Sequence, residues 1–185
     1  MQKSIIISGP PAIGKTTISK GLAKEFGLQS LSGGDVLKEL AQDQGFQTKG
    51  DDWWDTPEGM TFLNQRKDNY EFDKKVDQKL VEIFQKGGVV ITSYTLPWLV
   101  EGGIKIWLGG SKQNSAKRMQ NRDNMDMENA LSIVKTRFDE NKVLYKKLYG
   151  FDFGDDLSVF DVVINTDGLD AQGVLSKAIE EVRKL

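Results

Sequence analysis

A glycine-rich segment near the amino terminus carries the clearest chemistry in the sequence. Residues 9–16 read Gly-Pro-Pro-Ala-Ile-Gly-Lys-Thr and match G-x-x-x-x-G-K-[ST], the pattern of a phosphate-binding loop. The glycines let backbone N–H groups turn toward phosphate oxygens, and the following helix presents its positive N-terminus to the same oxygens. Lys15 is expected to reach the β- and γ-phosphates, and the Thr16 hydroxyl to ligate Mg²⁺. The predicted contacts to the nucleotide, which we expect to be ATP, are Gly9, Pro10, Pro11, Ala12, Ile13, Gly14, Lys15, Thr16 and Thr17.

Arginines are scarce in this chain, and they are clustered. Three of the five arginines fall between residues 118 and 137. Arg118 and Arg122 are four residues apart, so on a helix they share one face. A solvated helix face is the alternative, but guanidinium groups donate paired hydrogen bonds to phosphate oxygens and do not deprotonate. Beside a phosphate loop, the clustering favours cations that close over a transferring phosphoryl group. We therefore predict Arg118, Arg122 and Arg137, together with Lys15, as catalytic residues.

The composition limits the chemistry that is available. The chain has no cysteine and no histidine, which excludes thiolate nucleophiles, cysteine zinc sites and imidazole acid–base catalysis. Carboxylates, Lys, Arg, hydroxyls, backbone amides and a hard metal remain, and phosphoryl transfer needs only these. The formal net charge of -2 gives no broad field that would attract nucleic acid or a membrane surface. We predict a cytoplasmic protein that binds small nucleotide substrates, as a monomer with a dimer as the alternative.

Short apolar runs alternate with helical patterns along the chain. Strands are predicted at residues 5–8, 28–31, 89–91, 104–108 and 159–164, with helical spacing between them. This alternation predicts an α/β fold: a three-layer P-loop architecture with a five-stranded parallel sheet, in one domain over residues 1–185. The phosphate-loop pattern lies directly between the first strand and an amphipathic helix, which argues against a chance match.

Several further motifs carry a family resemblance that covers nearly the whole chain. Residues 31–41 read Leu-Ser-Gly-Gly-Asp-Val-Leu-Lys-Glu-Leu-Ala, and residues 106–108 read Ile-Trp-Leu. The tail is the most specific part, with Tyr-Lys-Lys-Leu-Tyr-Gly-Phe-Asp at 145–152 and Asp-Leu-Ser-Val-Phe-Asp-Val-Val-Ile-Asn-Thr at 156–166. Together with the phosphate loop and the three arginines, these segments resemble the archaeal-type cytidylate kinases, within the adenylate-kinase-like nucleoside monophosphate kinases.

The resemblance implies an activity and roles for more residues. It implies transfer of the ATP γ-phosphoryl group to a nucleoside monophosphate, CMP or dCMP, by an enzyme with a monophosphate-binding insert (residues 45–70) and a short lid (about 118–130). Asp35 would lie near the magnesium shell or the acceptor ribose, and Lys38 would meet the acceptor α-phosphate. A helix N-cap is the alternative role for Asp35, and both roles are compatible.

The chain departs from the family pattern on the acceptor side. Lys38 stands where the family usually has arginine, and Leu144 stands where an arginine often precedes the tyrosine. Thr92-Ser93-Tyr94 replaces the typical Glu-Gly-Arg after the third strand, so we expect Tyr94 to face the substrate. Two alternatives therefore stay open: a P-loop kinase for another small acceptor, and a nucleotide-binding regulatory protein with little turnover.

The insert is unusual because it carries adjacent tryptophans among acidic residues. Trp53 and Trp54 are flanked by aspartates. The indole rings could stack on a base, and the aspartates could form hydrogen bonds with the edge of that base. A core plug and a subunit contact are the alternatives. Arg66 and Lys67 could replace the acceptor-side cation that the family motif would have supplied.

Overall fold

Five parallel strands form one sheet in the computed structural model, which describes residues 3–43, 45–48, 61 and 70–185. The strands lie in the order β2-β3-β1-β4-β5, and every neighbouring pair is parallel. The described elements in chain order are β1 Ile5–Ser8, α1 Lys15–Phe26, β2 Gln29–Ser32, α2 Gly33–Asp43, α3 Glu71–Lys86, β3 Val89–Thr92, α4 Leu96–Leu99, β4 Ile104–Gly109, α5 Lys112–Asp123, α6 Met127–Tyr149, β5 Val162–Asn165 and α7 Ala171–Lys184.

Helices cover both faces of the sheet, because consecutive side chains of a strand point to opposite faces. In β1, Ile5 and Ile7 pack into a core formed with α1 and α7. Ile6 packs into a second core, on the other face, formed with α2 and α3. All three isoleucines are fully buried. This confirms the predicted three-layer α/β architecture with its five-stranded parallel sheet.

The strands β2, β3, β4 and β5 each end one residue later than predicted, and two of them also begin later. β2 begins one residue later than predicted, and β5 begins at Val162 rather than at residue 159. The late start of β5 has a local cause: the Phe160 N–H donates to the carbonyl of Leu157 at 3.1 Å, so the preceding residues form a turn. The short helix α4 was not predicted, because four residues show no helical period.

Most of the predicted insert at residues 45–70 lies outside the described residues. Residues 49–60 and 62–69 lie outside the described residues, and they include Trp53, Trp54, Arg66 and Lys67. The roles expected of these four residues, and the insert itself, therefore stay predictions. Among the helices that the structure describes, none is long and apolar enough to cross a membrane.

Candidate active site

The glycine-rich loop leaves β1 in a conformation that needs its glycines. Gly9 has φ of 148° and Gly14 has φ of 100°, and both values lie where side chains with a Cβ are strained. A Cβ added at Gly9 would lie 2.2 Å from the carbonyl oxygen of Leu108 in β4. The loop can therefore pass this closely over the carboxyl ends of β1 and β4 only with glycine at that position.

We predict that Gly9→Ala will lower the stability of the fold by about 1–3 kcal/mol or more, because the backbone must move away from Leu108. The same movement should weaken ATP binding, since it misaligns the loop amides. Gly102→Ala is the matched control: φ at Gly102 is 72°, and nothing lies within 4 Å of the added Cβ. Thermal unfolding and ATP titration measure both effects. Equal behaviour of the two variants would contradict the prediction.

Lys15, the first residue of α1, folds back over the loop. Its Nζ donates to the carbonyl oxygens of Gly9 at 2.9 Å and Pro10 at 2.7 Å. It also lies over the ring of Tyr94, 4.5 Å from the ring centroid. Burial, reinforced by the positive charge of Arg137, lowers the pKa of the Lys15 ammonium below its ordinary value, although Tyr94 acts in the opposite direction. Phosphate oxygens that replaced the two carbonyls would form stronger, charge-assisted hydrogen bonds with this ammonium.

Tyr94 is separated from the end of β3 by Ser93 alone and lies beneath the Lys15 ammonium. Its ring meets Phe153 edge-on, with 5.6 Å between centroids, and is tilted against Tyr145 at 6.3 Å. Burial alone would raise the pKa of the Tyr94 phenol, but the surrounding cations, chiefly Lys15 and then Arg137, lower it below the ordinary value. The surroundings of Tyr94 are therefore positive, which suits an anionic ligand.

The predicted arginines lie on two neighbouring helices beside the loop. From α5, Arg118 reaches the loop and donates from Nη1 to the carbonyl oxygen of Ile13 at 2.5 Å. Arg122 forms a two-point ion pair with Asp123, with Nε and Nη2 each 2.5 Å from a carboxylate oxygen. Arg137 is exposed on α6, and its charge lowers the pKa of both Lys15 and Tyr94. The structure thus places Arg118 on the loop and the charge of Arg137 close to Lys15, and the charge of Arg122 acts on Tyr94. The catalytic roles of the three arginines stay predictions.

A tight turn holds the arginine-bearing helices against each other. Asn124 ends α5 with φ of 50°, and the Asp126 side chain caps α6 by accepting from the Asn129 N–H at 2.8 Å. Small and flexible side chains then pack between α5 and α6; the buried ones are Ala116, Met119, Ala130 and Val134. Residues 118–130, the predicted lid, include this turn.

Asp35 and Lys38, the two residues predicted on the acceptor side, both lie on α2. The Asp35 carboxylate accepts from the Ser32 N–H at 2.8 Å and from its hydroxyl at 2.7 Å, and the Asp35 N–H donates back to that hydroxyl at 3.1 Å. This is a reciprocal capping box. The N-cap alternative for Asp35 is therefore wrong: Ser32 caps α2, and Asp35 closes the box from the third helical position. Lys38 lies about one turn further on and is half-buried.

The donors available for a metal are hard oxygens. Thr16 and Asp35 are both exposed at the starts of their helices, and such oxygens suit Mg²⁺. Within the part of the chain that the structure describes, no group of three or more acidic side chains could hold a metal ion. These residues fit an ion that is held largely by nucleotide phosphates rather than by a protein cage.

One buried carboxylate, bonded to the residue that follows Tyr94, was missed from the sequence. Asp77 of α3 is buried and bonded to Thr95 and Tyr149. A carboxylate beside Val76 and three residues before Leu80 interrupts the apolar face of α3, and this was the signal that could have found it.

The loop that joins β1 to α1, with lysine at its end and arginines from α5 and α6 beside it, defines a P-loop protein of the α/β class. The model of the cytidylate kinase-like family matches residues 4–168. The chain is 34% identical over 188 residues to a cytidylate kinase of Methanocaldococcus jannaschii, covering 97% of this chain and 99% of that protein. It is 34% identical over 180 residues to one of Sulfurisphaera tokodaii, covering 95% and 92%. The chain belongs to the cytidylate kinase-like family.

Solved structures with lower sequence identity share the fold. A shikimate kinase of Acinetobacter baumannii superposes with a TM-score of 0.60 at 17% identity, over 100% of this chain and 94% of that chain. A gluconokinase of Sinorhizobium meliloti 1021 gives a TM-score of 0.57 at 15% identity, over 98% and 92%. At these identities the likeness describes the fold alone.

Proposed function

We propose that this protein is an ATP-dependent nucleoside monophosphate kinase whose acceptor is CMP or dCMP. The observation that supports the proposal is the Lys15 ammonium over the loop, with Arg118 on the loop carbonyl of Ile13 and the charge of Arg137 close to Lys15. It is found in a chain whose relatives are named cytidylate kinases. In the reaction, an oxygen of the acceptor phosphate attacks Pγ of ATP. The bond from Pγ to the bridging oxygen breaks, and ADP leaves with that electron pair.

The chain's own groups supply positioning and charge neutralisation for this reaction. The amides of residues 9–16 hold the phosphates, while Lys15 and the arginines neutralise the charge that develops on the transferring group. No strong general base is required, because the attacking oxygen belongs to a phosphate that is already anionic. Thr16 and Asp35 would hold Mg²⁺, and the ion would neutralise phosphate charge when bound.

The acceptor would lie on the β3 side of the loop, where the chain departs from its family. We propose that Lys38 binds the acceptor phosphate, that Asp35 contacts the ribose, and that Tyr94 occupies the place of the family arginine. We propose further that Trp53 and Trp54 stack the base and that Arg66 supplies a cation. The enzyme would act in the cytoplasm on small nucleotides as a monomer.

Activity is expected to require Mg²⁺, and excess chelator should abolish it without unfolding the protein. The reason is that the described part of the chain holds no cluster of three or more acidic side chains for a metal, so the fold does not depend on one there. A coupled assay with and without EDTA, paired with thermal unfolding of the nucleotide-free protein in the same buffers, measures this. A large loss of thermal stability in EDTA would contradict the prediction.

One observation favours a second candidate, a P-loop kinase for a different small acceptor. A phenol at Tyr94, in place of a guanidinium, offers less charge to a second phosphate. A coupled assay with CMP, dCMP, UMP, AMP and GMP separates the candidates. Preferential use of CMP or dCMP supports the proposal. If none of the five monophosphates stimulates ADP release but a non-nucleotide acceptor does, the second candidate is favoured. If no acceptor stimulates ADP release, a regulatory protein is favoured.

A further inference from the structure

A buried carboxylate lies outside the phosphate loop and has two hydroxyl donors. Asp77 is only 8% exposed. Its Oδ1 accepts from the Thr95 hydroxyl at 2.5 Å, and its Oδ2 accepts from the Tyr149 hydroxyl at 2.6 Å. Burial and the bond to Asp77 raise the pKa of the Tyr149 phenol far above its ordinary value, so it remains a donor. A buried carboxylate is costly unless hydrogen bonds such as these compensate it.

The Thr95 bond holds the turn that carries Tyr94. Within that turn, the Ser93 hydroxyl oxygen accepts from the N–H of Thr95 at 3.2 Å and of Leu96 at 3.1 Å. The N–H of Ser93 donates to the carbonyl of Ile7 in β1 at 3.1 Å. The residues on both sides of Tyr94 are therefore fixed, one to the central strand and one to Asp77.

The Tyr149 bond holds a second part of the same site. Tyr149 is the last residue of α6, the helix that also carries Arg137. Asp77 thus joins α3 to the two elements that face Lys15: the turn after β3 and the helix of Arg137. Thr95 is 18 residues from Asp77 in the sequence, and Tyr149 is 72 residues from it. Both hydrogen bonds are therefore tertiary contacts.

We propose that Asp77 is a positioning residue for phosphoryl transfer: through Thr95 it holds Tyr94 against Lys15, and through Tyr149 it holds α6 beside them. The inference rests on the proposed function, and it assigns the buried carboxylate to the acceptor side of that site. ATP binding at the loop should not depend on it, because the loop contacts of Lys15 and Arg118 are made without Asp77.

The kinetic test removes each hydroxyl donor in turn and, in a third variant, the charge of the carboxylate. Thr95→Val and Tyr149→Phe each keep the shape of the side chain, and Asp77→Asn removes the charge. Each should lower kcat/KM for the monophosphate about tenfold, with the Kd for ATP unchanged. Asp161→Ala is the control, because that carboxylate accepts from the Lys105 N–H at 2.8 Å, at the start of β4, away from the loop. An equal loss of ATP affinity in the three variants would overturn the proposal.

A second readout follows Tyr94 itself and needs no turnover. The chain has four tyrosines, so ¹⁹F NMR of 3-fluorotyrosine-labelled protein is simple, and Tyr94→Phe assigns the signal. In Asp77→Asn and Thr95→Val the Tyr94 phenol should titrate at higher pH than in the wild type, because it moves away from Lys15; in Asp161→Ala it should not. An unchanged titration in both variants overturns the proposal, even if activity falls. If the wild type phosphorylates no monophosphate, the proposed function fails, and this titration alone still decides the positioning role.

Discussion

Replacing Lys15 with alanine is expected to lower kcat by at least about a thousandfold and to weaken ATP binding strongly. Lys15 supplies a cation at the mouth of the loop, where its Nζ meets the carbonyls of Gly9 and Pro10. That site excludes much of the surrounding water, so a charge there acts on phosphate more strongly than an exposed one. Loss of the ammonium leaves the developing charge on the transferring group without this counter-charge.

Lys20→Ala is the matched control, because Lys20 is an exposed lysine of the same helix α1. A coupled assay gives kcat, and titration with ATP gives the affinity of each variant. The control should resemble the wild type in both. Near-normal turnover of Lys15→Ala, in a protein that melts like the wild type, would end the P-loop mechanism proposed for this chain.

The second large effect is expected at Arg137. Arg137→Ala should lower kcat by about a hundredfold and change the affinity for ATP little, because its contact to phosphate would form fully only in the transition state. Arg137 is exposed, yet its positive charge lowers the pKa of both Lys15 and Tyr94. Arg118, in contrast, already contacts the loop at Ile13, so its replacement should also disturb ATP binding.

The control for Arg137 is Arg183→Ala. Arg183 is an arginine of α7 that pairs with Glu25 on the far part of α1, so its loss removes a surface ion pair and no phosphate contact. Steady-state kinetics of the two variants at saturating ATP separate a catalytic effect from a general one. If kcat of Arg137→Ala matched that of Arg183→Ala, Arg137 would have no role in the transfer.

Much of this molecule follows from short segments of the chain. The loop pattern of residues 9–16, the apolar runs of the strands and the helical periods are local features, and local backbone preference with burial of one face suffices to produce them. The caps at Ser111 and Asp126 are local in the same sense, since each bonds an N–H three residues ahead. The sheet, its parallel sense and the helix that follows the loop could therefore be predicted.

The contacts that complete the site could not be read from such patterns. Arg118 meets Ile13 across 105 residues, and Tyr149 meets Asp77 across 72. Tyr94 meets Lys15 because β3 and β1 are neighbours in the sheet, an order that the strand patterns do not specify. Periodicity tells which face of an element is buried, but not which element covers it. The partners of Asp77, the environment of Tyr94 and the link between Arg118 and the loop arise only when the helices pack on the finished sheet.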